Sequence, residues 1–181
     1  MKKLVWAKTL LFSYKYLARI IKGVDRIVLE RSAKSHTTAW CEFTTMEQME
    51  QIIDLIQRKK RLQTVKMLIE EGLKNIDPQA ARTLIRYCID KVDLEILAEE
   101  YGLSKRTMSR RINAMLVDLI DKIRDLGYGV AKIESLLENE GWIVGIFNKF
   151  ACRFSGENEV KPLLLPSSIN TVERLFLQCY K

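Results

Sequence analysis

The chain has 181 residues, 48% hydrophobic and 29% charged, a balance that excludes a disordered protein and fits a folded one. It is long enough for one good core, or for two small domains joined by a helix, and its net charge of +7 favours a polyanionic partner. Glycine and proline are scarce and apolar residues recur mainly at helical period, so the expected fold is all-α.

The first expected element is a long amphipathic helix over residues 5–32. Leu10, Leu11, Tyr14, Leu17, Ile20, Ile21, Val24, Ile27 and Val28 form its stripe, and Lys15, Arg19, Lys22 and Arg26 occupy other faces. Residues 32–44 are turn-like and polar and are expected to form a loop. The loop holds His36, which has no nearby Asp or Cys to orient or activate it. Thr44 or Thr45 then caps a second long helix, with Glu47 and Gln48 available for a capping box. Its stripe runs through Met46, Met49, Ile52, Ile53, Ile56, Leu62, Val65, Leu68, Ile69 and Leu73. The spacing loosens over residues 57–61, Gln-Arg-Lys-Lys-Arg, where a bend is expected. That basic run reads either as a solvated helix face or as a phosphate contact.

Asp77 followed by Pro78 marks the clearest boundary, an N-cap with proline at the first helical position. The helix it starts buries Ala81, Leu84, Ile85 and Cys88. Next comes a short helix from about Asp93 to Tyr101, with Leu94, Leu97, Ala98 and Tyr101 on one side. Gly102 sits where a chain leaving a helix needs a positive φ, and Ser104 can cap the helix that follows. That last helix buries Met108, Ile112, Met115, Leu116 and Leu119 and runs to about Leu126, with Gly127 ending it. Two helices broken by a glycine turn, with Ala98 allowing close approach, form a helix-turn-helix signature whose second helix suits the DNA major groove.

On that second helix Arg106, Arg110 and Asn113 lie opposite Met108 and Ile112, with Ser109 at one side. These four are the expected base-contacting residues: arginine matches the two acceptors of guanine, and asparagine matches the donor and acceptor of adenine. Ser104, Lys105, Thr107 and Arg111 are the expected phosphate contacts. The preceding helix carries Asp93, Glu95, Glu99 and Glu100, which are expected to point away from DNA or to meet a basic partner.

Three motifs, Leu73-x-x-Ile76-Asp77-Pro78, Arg82-x-Leu84-x-Arg86-Tyr87 and Ile96-Leu97-Ala98-x-x-x-Gly102-Leu103-Ser104-x-x-Thr107-Met108-x-Arg110-Arg111, occur in this order. Together they resemble the C-terminal, −35-reading domain of bacterial RNA polymerase sigma factors. The resemblance covers residues 73–126 and extends to sigma-like bacterial and phage regulators with a long helical N-terminal part. It implies a sequence-specific transcriptional regulator that binds double-stranded DNA, with RNA polymerase as a further partner.

Three regions follow: a helical packing or oligomerisation region (1–74), the sigma-like unit (75–126) and a helical C-terminal extension (127–181). In the extension, helix is expected over residues 130–140 and 142–154, a loop over 155–167 and a last helix after Ser168. Its apolar character, like that of the N-terminal helices, allows a homodimer through either. Four separated cysteines, Cys41, Cys88, Cys152 and Cys179, form no CxxC pair, which argues against zinc and against a secreted disulfide framework. A reducing cytoplasm is the expected setting. Residues 1–12 carry Lys8 within their apolar run and lack a cleavage site, and no stretch reaches the ~18 apolar residues of a membrane span. No cofactor is expected and no enzyme, because no nucleophile has a base in reach and no P-loop is present. The alternative readings are a phage packaging protein of small-terminase type and an RNA polymerase adaptor.

Overall fold

A computed structural model of the chain describes residues 2–34 and 44–155. The described residues are all-helical: α1 (Lys2–Lys34), α2 (Thr45–Lys74), α3 (Pro78–Leu84), which continues into a π-helical turn (Ile85–Ile89), α4 (Leu94–Glu100), α5 (Lys105–Asp125), α6 (Val130–Leu137) and α7 (Gly141–Ser155). Helix α1 thus includes residues 32–34, which were expected to belong to the loop. His36, Cys41, the loop from residue 156 and the helix after Ser168 lie outside the described residues.

The N-terminal half of α1 is the hub of the core. Val5, Trp6, Ala7, Leu10 and Leu11 are buried, because α2, α5, α7 and the π turn all pack on this one helix. A helix that is apolar on most of its faces must be enclosed. The hydroxyls of Thr9 and Ser13, buried with it, donate to the carbonyls of Val5 and Leu10 at 2.8 Å each. A single continuous apolar cluster reaches from Trp6 through Ile69, Leu84, Leu97 and Leu116 to Ile143, so all three regions read from the sequence contribute to it.

Helices α1 and α2 run antiparallel, as the pairs Tyr14–Glu70, Asp25–Lys59 and Arg31–Gln51 require. The Thr44 capping box forms as the sequence predicts, with Glu47 as its reciprocal partner. Residues 57–61 lie within one unbroken helix, and the basic run there is not simply solvated, since Arg58 and Lys59 pair with Glu140 and Asp25. One expectation for α2 is corrected, the burial of its whole apolar stripe. Met46, Met49, Ile53 and Ile56, expected inside, are exposed. Leu55 and Leu62 point at α1, and the other four fall on a second apolar stripe turned away from them.

Near its C-terminal end α2 meets α5 at Gly72. A Cβ there would lie 2.9 Å from Ile123 Cγ1 and 3.0 Å from Leu119 Cδ1, so glycine sets how closely the helices approach. After the π turn, Lys91 adopts φ 59° while the Val92 amide donates to the Arg86 carbonyl at 2.9 Å. A side chain in this left-handed conformation costs about 1–2 kcal/mol that glycine does not. Lys91→Gly is therefore expected to raise unfolding stability by about 0.5–1 kcal/mol, after allowing for glycine's freer unfolded state. Urea unfolding of that variant checks it, and a loss of stability would show that the Lys91 side chain contributes a contact.

Candidate functional site

The turn between α4 and α5 is built as its sequence dictates. Asp93 caps α4. At the other end Gly102 takes φ 61°, its amide donates to Glu99 O at 3.0 Å, and the Leu103 amide donates to Ala98 O at 2.8 Å. This pair of bonds is a Schellman stop, accompanied by burial of Leu97 and Ala98. Ser104 Oγ then accepts from the Thr107 amide at 3.2 Å and starts α5. At the far end of α5, Gly127 closes the helix at φ 89° with a second stop of the same kind.

A brace from α3 fixes the turn. The Tyr101 hydroxyl lies 2.8 Å from Thr83 Oγ1, and the Arg111 guanidinium lies 5.4 Å from the centroid of the Tyr101 ring. Arg86, in the π turn, grips both carboxylate oxygens of Glu100, one of them at 2.7 Å. The Arg86 hydrogen bond holds the Glu100 carboxyl below its ordinary range. Cys88, buried beneath, is a free thiol pushed up to about 12 by burial, which makes it core and not nucleophile.

The eight predicted residues divide clearly. Arg106 and Arg110 are exposed, and Ser109 and Asn113 are half-buried beside them. Among the described residues none of these four side chains has a hydrogen-bond or ion-pair partner. Their face lies opposite Met108 and Ile112, which are buried as expected. The face continues past Asn113 to Ala114 and Val117, both exposed. Sequence reasoning stopped short of these two, although they follow Arg110 at i+4 and i+7 on the same side.

The other four residues are less free. Ser104 and Thr107 hydroxyls bond each other at 2.8 Å. Arg111 rests on Tyr101, and Lys105 pairs with Glu95, whose hydrogen bond raises the lysine above its ordinary value. Of the acids of α4, expected to point away from DNA or to meet a basic partner, Glu95 meets a basic residue of α5 itself. One turn of α4 lies beside the first turn of α5, so Glu95 turns to the nearest cation. Both members of that pair are exposed, so either can exchange partners at little cost.

Among the described residues no group of His, Cys, Asp or Glu is arranged to hold a metal ion, and no helix is long and apolar enough to cross a membrane. Comparison of the chain with protein-family models, with curated proteins and with solved structures found no match.

Proposed function

We propose that α4 and α5 form a helix-turn-helix that reads double-stranded DNA, and that the protein is a cytoplasmic, sigma-like transcriptional regulator without enzymatic activity. The observation that carries this reading is the outer face of α5, where Arg106 and Arg110 stand free and exposed next to Asn113, directly opposite a buried stripe. In the major groove, the two arginines pair with guanine and Asn113 with adenine. Ser104, Lys105, Thr107 and Arg111 hold the flanking phosphates, and the positive end of α5 adds to them. The Thr83–Tyr101 and Arg86–Glu100 contacts give the reading helix a fixed angle to α3. RNA polymerase is the further partner that the sigma-like motifs imply.

A second copy of the chain is the partner that best suits the exposed stripe of α2. In an antiparallel pairing of two such helices, Met46 faces Ile56 and Met49 faces Ile53, so the stripe is self-complementary as a two-fold contact requires. Selection of bound sequences from random duplex DNA, read beside the mass of the free protein, tests both parts. A dyad-symmetric site with a dimeric mass is expected. A ring-sized mass would favour the packaging-protein reading, and absence of any enriched sequence would overturn the proposal.

A further inference from the structure

Helix α1 contains nine basic residues and two acidic ones, an excess equal to the net charge of the entire chain. The rest of the sequence is balanced, with 21 of each sign. The net excess of positive charge over the chain is therefore numerically that of α1, in addition to the locally basic face of α5. Part of it is neutralised locally: Lys2 pairs with Glu134, and Lys3 with Asp121. Lys15, Arg19, Lys22 and Arg26 are all exposed, and among the described residues none has an ion-pair or hydrogen-bond partner. Asp25 is engaged by Lys59 and does not compensate them.

These four follow one another at i, i+4, i+7 and i+11. At 100° per residue they fall within about 60° of arc, in a straight line ~16 Å long with a cation every ~5 Å. At Lys22 the line meets an open groove of about 640 Å³ between α1 and α2, lined also by Lys60, Gln63, Thr64 and Lys66 and by one acid, Glu70, which Lys66 and Tyr14 engage. A nucleic-acid strand carries one charge every ~3.4 Å along its axis, and a straight row of cations on a rigid helix suits that dense, regular array. Acidic protein surfaces seldom present charge so evenly. A bilayer surface would need bulky apolar groups beside the cations. Here the neighbours include the small residues Ala18 and Gly23, and Leu29 is the one large apolar side chain exposed on α1.

We infer that Lys15, Arg19, Lys22 and Arg26 form a second, sequence-independent phosphate-binding surface, by which the N-terminal helix grips duplex DNA outside the site read by α5. The choice of duplex DNA as the polyanion rests on the DNA-binding reading above; the surface itself does not. Contacts to phosphate position a protein without reading bases, so this surface contributes affinity and salt dependence but no preference.

The test compares the full chain with a variant carrying Lys15→Gln, Arg19→Gln, Lys22→Gln and Arg26→Gln. Glutamine keeps the helix propensity, and circular dichroism and thermal unfolding check that both fold alike. A Lys15→Arg/Lys22→Arg variant retains the charge and serves as the second control. Binding to a 40-base-pair duplex is titrated across salt concentrations. The slope of log K against log salt is expected to flatten by roughly 3.6 in the glutamine variant, at about 0.9 per phosphate, and to stay unchanged in the arginine variant. The order of preference among duplex sequences should not change. An unaltered slope with preference retained overturns the inference and leaves the α5 reading standing. A flattened slope with no preference in either protein supports the inference and overturns the α5 reading. An effect confined to single-stranded RNA or to vesicles containing anionic phosphatidylserine, and absent on duplex DNA, overturns the inference.

Discussion

Replacing Arg110 by alanine is expected to leave the fold intact while removing sequence discrimination at one base pair. The side chain is exposed and has no partner among the described residues, and alanine is at least as good a helix former, so unfolding stability should move by less than about 0.5 kcal/mol. A bidentate arginine–guanine contact is worth about 1–3 kcal/mol of discrimination, which is roughly a five- to 150-fold change in relative affinity. Competition between the preferred duplex and single-base variants measures it. Discrimination should collapse at one position and persist at the others. Equal weakening on every sequence would instead reassign Arg110 to phosphate contact. An unchanged competition profile would mean that α5 presents a different face.

Arg110 is also a residue whose setting could be read directly from spacing. Its burial partners recur at helical period on α5, and the caps at Thr44, Asp77, Asp93 and Ser104 and the glycine stop at Gly102 are local chemistry that needs no tertiary context. Helix existence and the boundaries around the turn were legible for that reason. Pairings between helices distant in sequence were not. Nothing near Glu95 in the sequence shows that Lys105 will reach it, and nothing near residues 57–61 points to Glu140, which is 82 residues from Arg58. A run of basic residues looks the same whether it faces water, phosphate or a buried carboxylate.

Helix α2 shows a second limit. Its apolar residues were read as one stripe, but two sets at helical spacing are interleaved. Leu55, Leu62, Val65 and Ile69 belong to the core, whereas Met46, Met49, Ile53 and Ile56 face outward. Periodicity identifies a helix; it cannot say which of two apolar faces meets the core. The converse holds for α1. The stretch from Val5 to Leu11 was read as part of one apolar stripe, yet Val5, Trp6, Ala7, Thr9, Leu10 and Leu11 are all buried, on most sides of the helix. The same packing fixes where the free cations of α1 can lie, on the half that extends beyond α7.

The largest loss of stability is expected from Glu140→Ala. The carboxylate is 1% exposed, and the residue stands just before α7, where its backbone carbonyl accepts the Ile143 amide at 2.8 Å. Arg58 Nε donates to Oε1 at 2.7 Å and Arg58 Nη2 to Oε2 at 2.8 Å, and the Trp142 indole N–H donates to Oε2 at 3.0 Å. The exposed or half-exposed pairs among the described residues, such as Lys2–Glu134, contribute at most about 1 kcal/mol each, because solvent screens them. Removing Glu140 is different, since it leaves a guanidinium that is 14% exposed without its acid and an indole donor without its acceptor. Breaking a buried pair on one side costs about 3–5 kcal/mol, a large part of the stability of a chain this size. Urea unfolding should show the midpoint falling with an unchanged slope. The pair itself need not be strongly favourable: in Arg58→Met/Glu140→Leu no charge is left unmatched, and that double variant should recover most of the loss. If the double variant were as unstable as Glu140→Ala, the damage would come from the lost indole bond and the packing around it, and the ion pair would be incidental to stability.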